Sequence, residues 1–315
     1  MRPFKRLPFA SLPDKPHRPH HFLDIPVEKL TIESRVLGRL AIAVRQKGNG
    51  PPLLLVHGLM TSGYSWRYVI DELAARFRVI VPDLPGAGDS DAPAAPLTPE
   101  ALTTFLGELV AALAIRGCAA VGNSMGGYVC MRLVLADGGA FSRLVNIHSP
   151  ALPTFPLRAL KLVLSLPGSR AILRAMVHRD PQRWVHRNVH YYDESLKSLE
   201  EARVYGAPLV TDAGVRAFTS YLADTMAPRG FRQFLTQLDE RRAQGLPFPV
   251  PLVHLYARQD PLVPAWIGPR IAELTASPLE WLEATSHFMH VDTPAPVIAH
   301  ILQFLDGDAK KSLSA

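Results

Sequence analysis

Cys118-Ala119-Ala120-Val121-Gly122-Asn123-Ser124-Met125-Gly126-Gly127 is the stretch that decides the fold of this chain. Residues 118–121 form a short apolar run, which is typical of a parallel strand buried on both faces. The G-x-S-x-G pattern follows this run directly and opens a helix-like stretch at 127–136. In that strand–turn–helix setting the glycines allow a sharp turn, and the serine is held in a strained conformation at the carboxyl edge of a sheet. The stretch therefore predicts that Ser124 is a nucleophile, close to a helix N-terminus that favours developing negative charge.

The same alternation of strand and helix surrounds this turn. Apolar runs predict further strands at 53–56, 78–81, 144–147, 252–256 and 279–283, and helical patterns lie at 64–76, 99–115, 265–275 and 296–305. Residues 27–45 alternate more loosely and predict an antiparallel pair before the first of these strands. Such alternation implies right-handed crossovers. We therefore predict an α/β fold with a mostly parallel central sheet flanked by helices.

One long segment interrupts the alternation. Residues 151–246 are mostly helical in pattern and are broken repeatedly by proline. We interpret them as a helical cap inserted above the strand ends, and residues 27–150 and 247–306 as the α/β core. A basic, proline-rich N-terminal arm at 1–26 and a tail at 307–315 complete the predicted organisation.

The predicted cap carries charged and apolar side chains whose role the sequence leaves open. Residues 155–190 contain seven Arg and Lys residues against Asp180 alone. They could attract an anionic substrate or a membrane surface, or they could be a solvated face whose aliphatic stems cover the helices. Six apolar residues could shape an acyl pocket or form the core of the cap itself: Leu160, Leu164, Ile172, Leu173, Met176 and Trp184.

Charge and cysteine content bear on compartment and partners. Residues 1–21 hold a net charge of +4 out of the chain's +6, so the basic balance comes largely from the arm. Such a tail could touch anionic lipid or nucleic acid, but we expect a flexible, solvated leader. This segment has no apolar core of the kind that a secretory signal needs. Cys118 and Cys130 fall on a predicted strand and helix and suit buried apolar residues of a reducing compartment. We therefore expect a soluble, cytoplasmic protein with no stable membrane insertion and no nucleic-acid partner.

A nucleophilic serine needs a base and an acid, which in this fold follow in the order Ser, Asp, His. Asp260 comes directly after the predicted strand 252–256, whereas residues 148–153, after the neighbouring predicted strand, contain no acid. A turn-forming Asp-Pro pair is the competing interpretation of Asp260. Two histidines, His287 and His290, follow the last predicted strand, and position alone does not choose between them.

Five ordered motifs together resemble the α/β-hydrolase fold family, and in particular its capped esterases and carbon–carbon bond hydrolases. These motifs are LVHG at 55–58, DLPGAGDS at 83–90, GNSMGG at 122–127, DPLVP at 260–264 and SHFMH at 286–290. The resemblance implies that His287 is the base, although Ser286 stands where the family usually has Gly. His290 is then expected to have a structural or supporting role. His57, in the His-Gly turn, is expected to brace a loop, and His148 to end a strand. The resemblance also implies an oxyanion hole formed by the backbone N–H groups of Leu59 and Met125.

The predicted function is hydrolysis of a carboxylic ester through an acyl-enzyme on Ser124, with a small, hydrophobic acyl compound as substrate. The alternatives are carbon–carbon hydrolysis of a vinylogous diketone, acyl transfer, and ligand binding without catalysis. Epoxide hydrolase and haloalkane dehalogenase chemistry are disfavoured because those relatives have Asp at the position of Ser124. No metal or organic cofactor is expected, and the run at 86–90 lacks the full G-x-G-x-x-G of a nucleotide site.

Overall fold

The computed structural model describes residues 3–307, and of the predicted tail it therefore includes only Gly307. One sheet contains eight strands in the spatial order β1-β2-β4-β3-β5-β6-β7-β8. The strands are β1 Glu28–Ser34, β2 Gly38–Lys47, β3 Pro52–Val56, β4 Arg78–Pro82, β5 Cys118–Asn123, β6 Phe141–Ile147, β7 Leu252–Ala257 and β8 Leu279–Leu282.

The pairing of the strands confirms the predicted fold class. β1 and β2 form the predicted antiparallel pair, and β2 joins β4 in antiparallel orientation. All other neighbours are parallel. The side chains of residues 53–56 on β3 are completely buried, as expected for a central strand covered on both faces. The carboxyl ends of β3, β5, β6 and β7 consequently meet at one edge of the sheet.

The helices between the strands follow the predicted pattern with one exception. The helices are α1 Ile70–Ala74, α2 Pro99–Ala112, α3 Met125–Ala136, α4 Phe155–Leu164, α5 Ser169–Arg179, α6 Pro181–Asn188, α7 Leu199–Gly206, α8 Asp212–Ser220, α9 Pro228–Ala243, α10 Ile267–Thr275, α11 Met289–Asp292 and α12 Pro294–Asp306. The helix expected at 64–76 is instead a short 3₁₀ turn, Gly63–Trp66, followed by α1. The turn is wholly buried, and tertiary packing of this kind overrides a local helical pattern.

Six helices, α4 to α9, lie between β6 and β7 in the chain. We refer to residues 151–246 as the cap segment, and the exact division into core and cap remains a prediction. Within residues 3–307, no helix is both long and apolar enough to cross a membrane.

The N-terminal arm is packed against the body, so the expectation of a flexible leader is wrong. The carbonyl oxygens of Pro13 and Asp14 accept hydrogen bonds at 2.8 and 3.0 Å from the N–H groups of Leu199 and Glu200. Those N–H groups begin α7, where a helix has no carbonyl partners of its own. Phe22 is also buried. A proline-rich segment has few donors to offer but keeps its acceptors, and this explains how it can bind along a helix start.

The two cysteines are buried and free, as the sequence predicted. Burial raises the pKa of the Cys118 thiol to about 12. Burial also raises the pKa of the Cys130 thiol, on α3. Both side chains therefore remain protonated and pack as small apolar groups.

Candidate active site

Ser124 occupies the strained turn between β5 and α3. Its backbone angles, φ 54° and ψ −121°, lie outside the regions of φ and ψ that residues with a side chain normally adopt. Its N–H donates to the carbonyl oxygen of Ile147 at 2.7 Å, which fixes the turn to the neighbouring strand β6. A Cβ at Gly126 would clash with the carbonyl oxygens of Val56 and His57, so the turn needs glycine there.

Asp260 follows β7 and uses both carboxylate oxygens. Oδ1 accepts hydrogen bonds from the N–H groups of Leu262 and Val263 at 2.6 and 3.0 Å, and Oδ2 lies 2.7 Å from Nδ1 of His287. The residue thus shapes a turn and also contacts the imidazole, so the two interpretations of Asp260 are compatible. Burial acts to raise the pKa of this carboxyl, but the adjacent His287 and His148 outweigh it and hold the pKa well below its usual range.

His287 lies in the loop between β8 and α11 and is almost fully buried. Its Nδ1–H donates to Asp260, which leaves the lone pair of Nε2 available as a proton acceptor. The side-chain amide of Asn123 donates to the carbonyl oxygen of His287 at 3.0 Å and so ties the histidine loop to the serine turn. Nothing in the sequence pattern had assigned this positioning contact to Asn123.

His148 is the residue that sequence reasoning missed. It follows β6, has a φ of 49°, and its Nδ1 lies 2.9 Å from the same Asp260 oxygen that faces His287. Its Nε2 accepts a hydrogen bond from the N–H of Ala257 at 2.5 Å, so the neutral ring must carry its proton on Nδ1, toward the carboxylate. The Nδ1–H direction is poor for a hydrogen bond, so the contact with Asp260 is mainly electrostatic.

Burial lowers the pKa of His148, which keeps the ring neutral near pH 7. A signal for this contact was present in the sequence. The end of β6, which was searched for an acid, holds a histidine directly beside the end of β7.

The remaining histidines of this edge are structural. Burial lowers the pKa of His57 to about 4, and its ring braces the loop by accepting from the N–H of Leu84 at 2.9 Å. His290 stacks on Trp66 with ring centroids 4.3 Å apart and is fully buried, which holds its pKa well below the usual value. Neither ring faces Asp260. The geometry therefore favours His287 over His290 as the base.

The loop after β3 approaches the serine closely. A Cβ at Gly58 would lie 3.0 Å from Cβ of Ser124, so the backbone of residues 58–59 runs beside the nucleophile. Within the described residues, no hydrogen bond uses the N–H of Leu59 or of Met125. One of these N–H groups belongs to the loop beside the serine, and the other lies at the start of α3.

Ser124 and His287 both line a cavity of about 250 Å³ between the sheet edge and the cap segment. Thr154 and Asn188 supply its other polar side chains. The remaining lining is apolar and consists of Leu59, Met60, Pro150, Leu157, Val189, Leu222, Met226, Leu262, Val263, Pro264, Ile267 and Phe288. None of the six apolar cap residues proposed above as an acyl pocket lines this cavity.

The cap segment is also joined to the core by buried polar contacts. Arg67, just after the 3₁₀ turn, pairs with Glu201 on α7 at 2.7 Å, and both side chains are fully or almost fully buried. The hydroxyl of Tyr191 donates to the same carboxylate at 2.5 Å. Nε2 of His20, in the arm, lies 2.9 Å from a carboxylate oxygen of the preceding residue, Glu200. We refer to Arg67 and Glu201 as the cap anchor.

A second junction lies at the loop that carries His287. Asp292 accepts hydrogen bonds from the N–H and the hydroxyl of Ser286 at 2.9 and 2.5 Å, and from the N–H of Tyr192 in the cap segment at 2.9 Å. Burial raises the pKa of Asp292 to about 7 despite these donors. The loop that carries His287 and the cap segment therefore share one titratable carboxyl.

Comparison with known proteins finds several similar hydrolases. A pimeloyl-[acyl-carrier protein] methyl ester esterase of Aeromonas hydrophila is 28% identical over 275 residues, which covers 85% of this chain and 97% of that protein. The structure of an epoxide hydrolase, CorEH, superimposes with a TM-score of 0.73 at 22% identity and covers 89% of this chain and 98% of that one. A meta-cleavage product hydrolase, CumD, gives a TM-score of 0.67 at 20% identity and covers 90% and 99%.

These two structural likenesses establish the fold alone. The sequence model of the alpha/beta hydrolase family, in contrast, matches residues 53–300, most of the chain. This match spans β3 to α12 and includes Ser124, Asp260 and His287. The chain belongs to the alpha/beta hydrolase family.

Proposed function

We propose that this protein is a serine hydrolase that cleaves carboxylic esters through an acyl-enzyme on Ser124. One observation carries the proposal: His287 is oriented by Asp260 at 2.7 Å and lines the same apolar cavity as Ser124. An apolar cavity with few polar groups suits an acyl chain better than a charged substrate. The esterase among the relatives is consistent with this substrate class.

The geometry suggests a two-step reaction. Oγ of Ser124 attacks the ester carbonyl carbon while Nε2 of His287 takes the hydroxyl proton, and the N–H groups of Leu59 and Met125 stabilise the oxyanion. The bond to the alcohol oxygen then breaks, and the leaving alkoxide receives the proton from His287. Water repeats the sequence on the acyl-enzyme and releases the acid. Asp260 stays ionised throughout because the neighbouring histidines keep its pKa low.

The proposal is tested with a chain-length series of p-nitrophenyl esters. Ser124→Ala should lower kcat/KM by about 10⁴-fold or more, because serine and histidine act as one unit. Ser165→Ala, an exposed serine on the cap segment, is the matched control and should retain full activity. In parallel, a fluorophosphonate probe should label wild-type Ser124 and leave Ser124→Ala unmodified, as read by mass spectrometry.

The two readouts separate the possible outcomes. Ester turnover that survives in Ser124→Ala would contradict the mechanism. Labelling of Ser124 without turnover of any ester would contradict the substrate class but keep the reactive serine, and a vinylogous diketone would then be the next substrate to try. Absence of both labelling and turnover would favour a ligand-binding role.

A further inference from the structure

The outer helices of the cap segment present apolar side chains to solvent. On α4, Phe155 and Leu162 are 81% and 70% exposed, and on α5, Ile172 and Met176 are 64% and 57% exposed. Leu166, in the short turn between the two helices, is 57% exposed. Amphipathic helices of globular proteins normally turn such residues inward. We refer to the exposed side of α4, α5 and their connecting turn as the outer cap face.

The exposed apolar residues belong to helices that are packed normally on their inner side. Along α4 the inward positions are filled as well, since Leu164 is buried and Leu157 lines the active-site cavity. On α5, Val177 is fully buried. Each helix thus packs one apolar side against the body and offers a second one outward, which is a pattern that marks an interaction surface.

The charges on this face have one sign. Residues 155–179 carry Arg158, Lys161, Arg170, Arg174 and Arg179 and contain no Asp or Glu, whereas the acids of the cap segment all lie from Asp180 onward. Arg170 and Lys161 are turned back to Asp224 and to the carbonyl oxygen of Ala223, each at 3.0 Å.

Arg158 and Arg179, in contrast, are exposed. Arg158 lies four residues before Leu162 on α4, and Arg179 lies three residues after Met176 on α5. Each shares a helical face with those apolar side chains.

The outer cap face also adjoins residues that line the candidate active-site cavity. Thr154, the residue before Phe155, lines that cavity, and so does Leu157 on α4. Leu262 also lines the cavity and is 47% exposed, and Trp266, four residues later in the chain, is exposed as well. Apolar surface therefore continues from the helices to the rim of the cavity.

We propose that the outer cap face docks on the surface of a bilayer that contains anionic phospholipid. Exposed Leu, Ile, Met and Phe side chains can enter the boundary between headgroups and acyl chains, and the flanking Arg158 and Arg179 pair with lipid phosphates. The absence of acids from residues 155–179 makes the face complementary to an anionic membrane and not to a basic protein. Where it touches catalysis the inference rests on the proposed function: docking would bring the cavity opening to the membrane, so apolar esters could enter without crossing water.

Vesicle flotation tests the docking separately from catalysis. Wild type should float with vesicles of phosphatidylcholine and phosphatidylglycerol at 3:1 and float much less with phosphatidylcholine alone. Ser124→Ala should float as wild type does, so a failure of the esterase proposal would leave this result intact. Leu162→Asp/Ile172→Asp should abolish flotation. Arg158→Glu/Arg179→Glu should weaken binding by at least about tenfold, since each basic residue near such a surface contributes roughly fivefold.

Matched variants control for added charge. Val36→Asp/Leu246→Asp alters two exposed apolar residues in turns outside α4 and α5, and Arg39→Glu/Arg232→Glu reverses two exposed cations elsewhere. Both controls should float like wild type, and all four double variants should hydrolyse a soluble short-chain ester within about twofold of the wild-type rate.

Three outcomes would overturn the proposal. Wild type that does not float with anionic vesicles has no such docking surface. Flotation that the Leu162/Ile172 variant retains would place the binding surface elsewhere. Self-association in light scattering that only the outer-face variants abolish, without vesicle binding, would assign the face to a second copy of this chain.

Discussion

The sheet edge that holds Ser124, Asp260 and His287 and the cap segment above it are built in opposite ways. At the edge, adjacent parallel strands fix each backbone, and Asp260 alone is approached by two imidazoles and two backbone N–H groups. The cap segment is anchored on one side by the buried pair Arg67–Glu201 and leaves its outer helices exposed. The candidate catalytic residues thus lie at the ends of sheet strands and are tied down by several hydrogen bonds, whereas the exposed helices belong to a separately attached segment.

Removal of the cap anchor is expected to have the largest effect on the attachment of the cap segment. Arg67→Met leaves the carboxylate of Glu201 buried without its cation, and we expect the free energy of unfolding to fall by about 3–5 kcal/mol. Urea denaturation measures this change. The double variant Arg67→Met/Glu201→Gln should recover most of the loss, because neither charge is then left alone.

A matched control is the solvent-exposed pair Arg116–Asp137, which has a similar separation of 2.6 Å. Arg116→Met should leave the unfolding midpoint unchanged, because an exposed pair gains little from its contact. A loss at Arg67 no greater than at Arg116 would show that the cap segment does not depend on the anchor.

His148 provides a smaller test, on the side of the sheet edge. His148→Ala removes the imidazole N–H that faces the carboxylate of Asp260. We expect kcat to fall about tenfold, because one such contact with a charged group is worth roughly 1.5 kcal/mol. KM should stay unchanged, because His148 does not line the cavity. His148→Asn offers an amide N–H close to the position of Nδ1 and should restore part of kcat.

Steady-state kinetics on one soluble ester measures both constants, with thermal unfolding as the check on folding. If His148→Asn and His148→Ala have the same kcat, or if KM rises while kcat is unchanged, the role of His148 is only structural.

A further test is a pH dependence at the junction of the two regions. Burial raises the pKa of Asp292 to about 7, so the folded protein keeps a proton that the unfolded chain has lost. Stability should therefore fall as the pH rises from about 4 to about 7, and this contribution should be constant above that range. Asp292→Asn should remove the slope, as measured by the difference in unfolding free energy between wild type and variant at a series of pH values.

Asp239→Asn, at an exposed site, should preserve the wild-type slope. If the difference in unfolding free energy between wild type and Asp292→Asn is the same from about pH 4 to about pH 7, the pKa of Asp292 is not raised.

The motifs predicted the site better than they predicted its surroundings. Ser124 and Asp260 were predicted because each follows a strand, and strand ends of a parallel sheet must converge. Position left both His287 and His290 as candidates, and the family resemblance implied His287. The contact of His148 with Asp260 was missed because the end of β6 was examined for an acid alone. The packing of the arm was missed because its partners, the N–H groups at the start of α7, lie about 185 residues away in sequence.

By itself, the sequence determined the α/β fold, the order of its strands along the chain and the serine turn, because strand, turn and helix signals act over a few residues. Only the tertiary structure decided which side chains share the carboxylate of Asp260, that Arg67 and Glu201 neutralise each other in the interior, and that α4 and α5 expose their apolar residues. Helical periodicity shows that a helix has an apolar side, but not which side faces the body. When both sides are apolar, as on α4, only the position of the neighbouring elements settles the orientation.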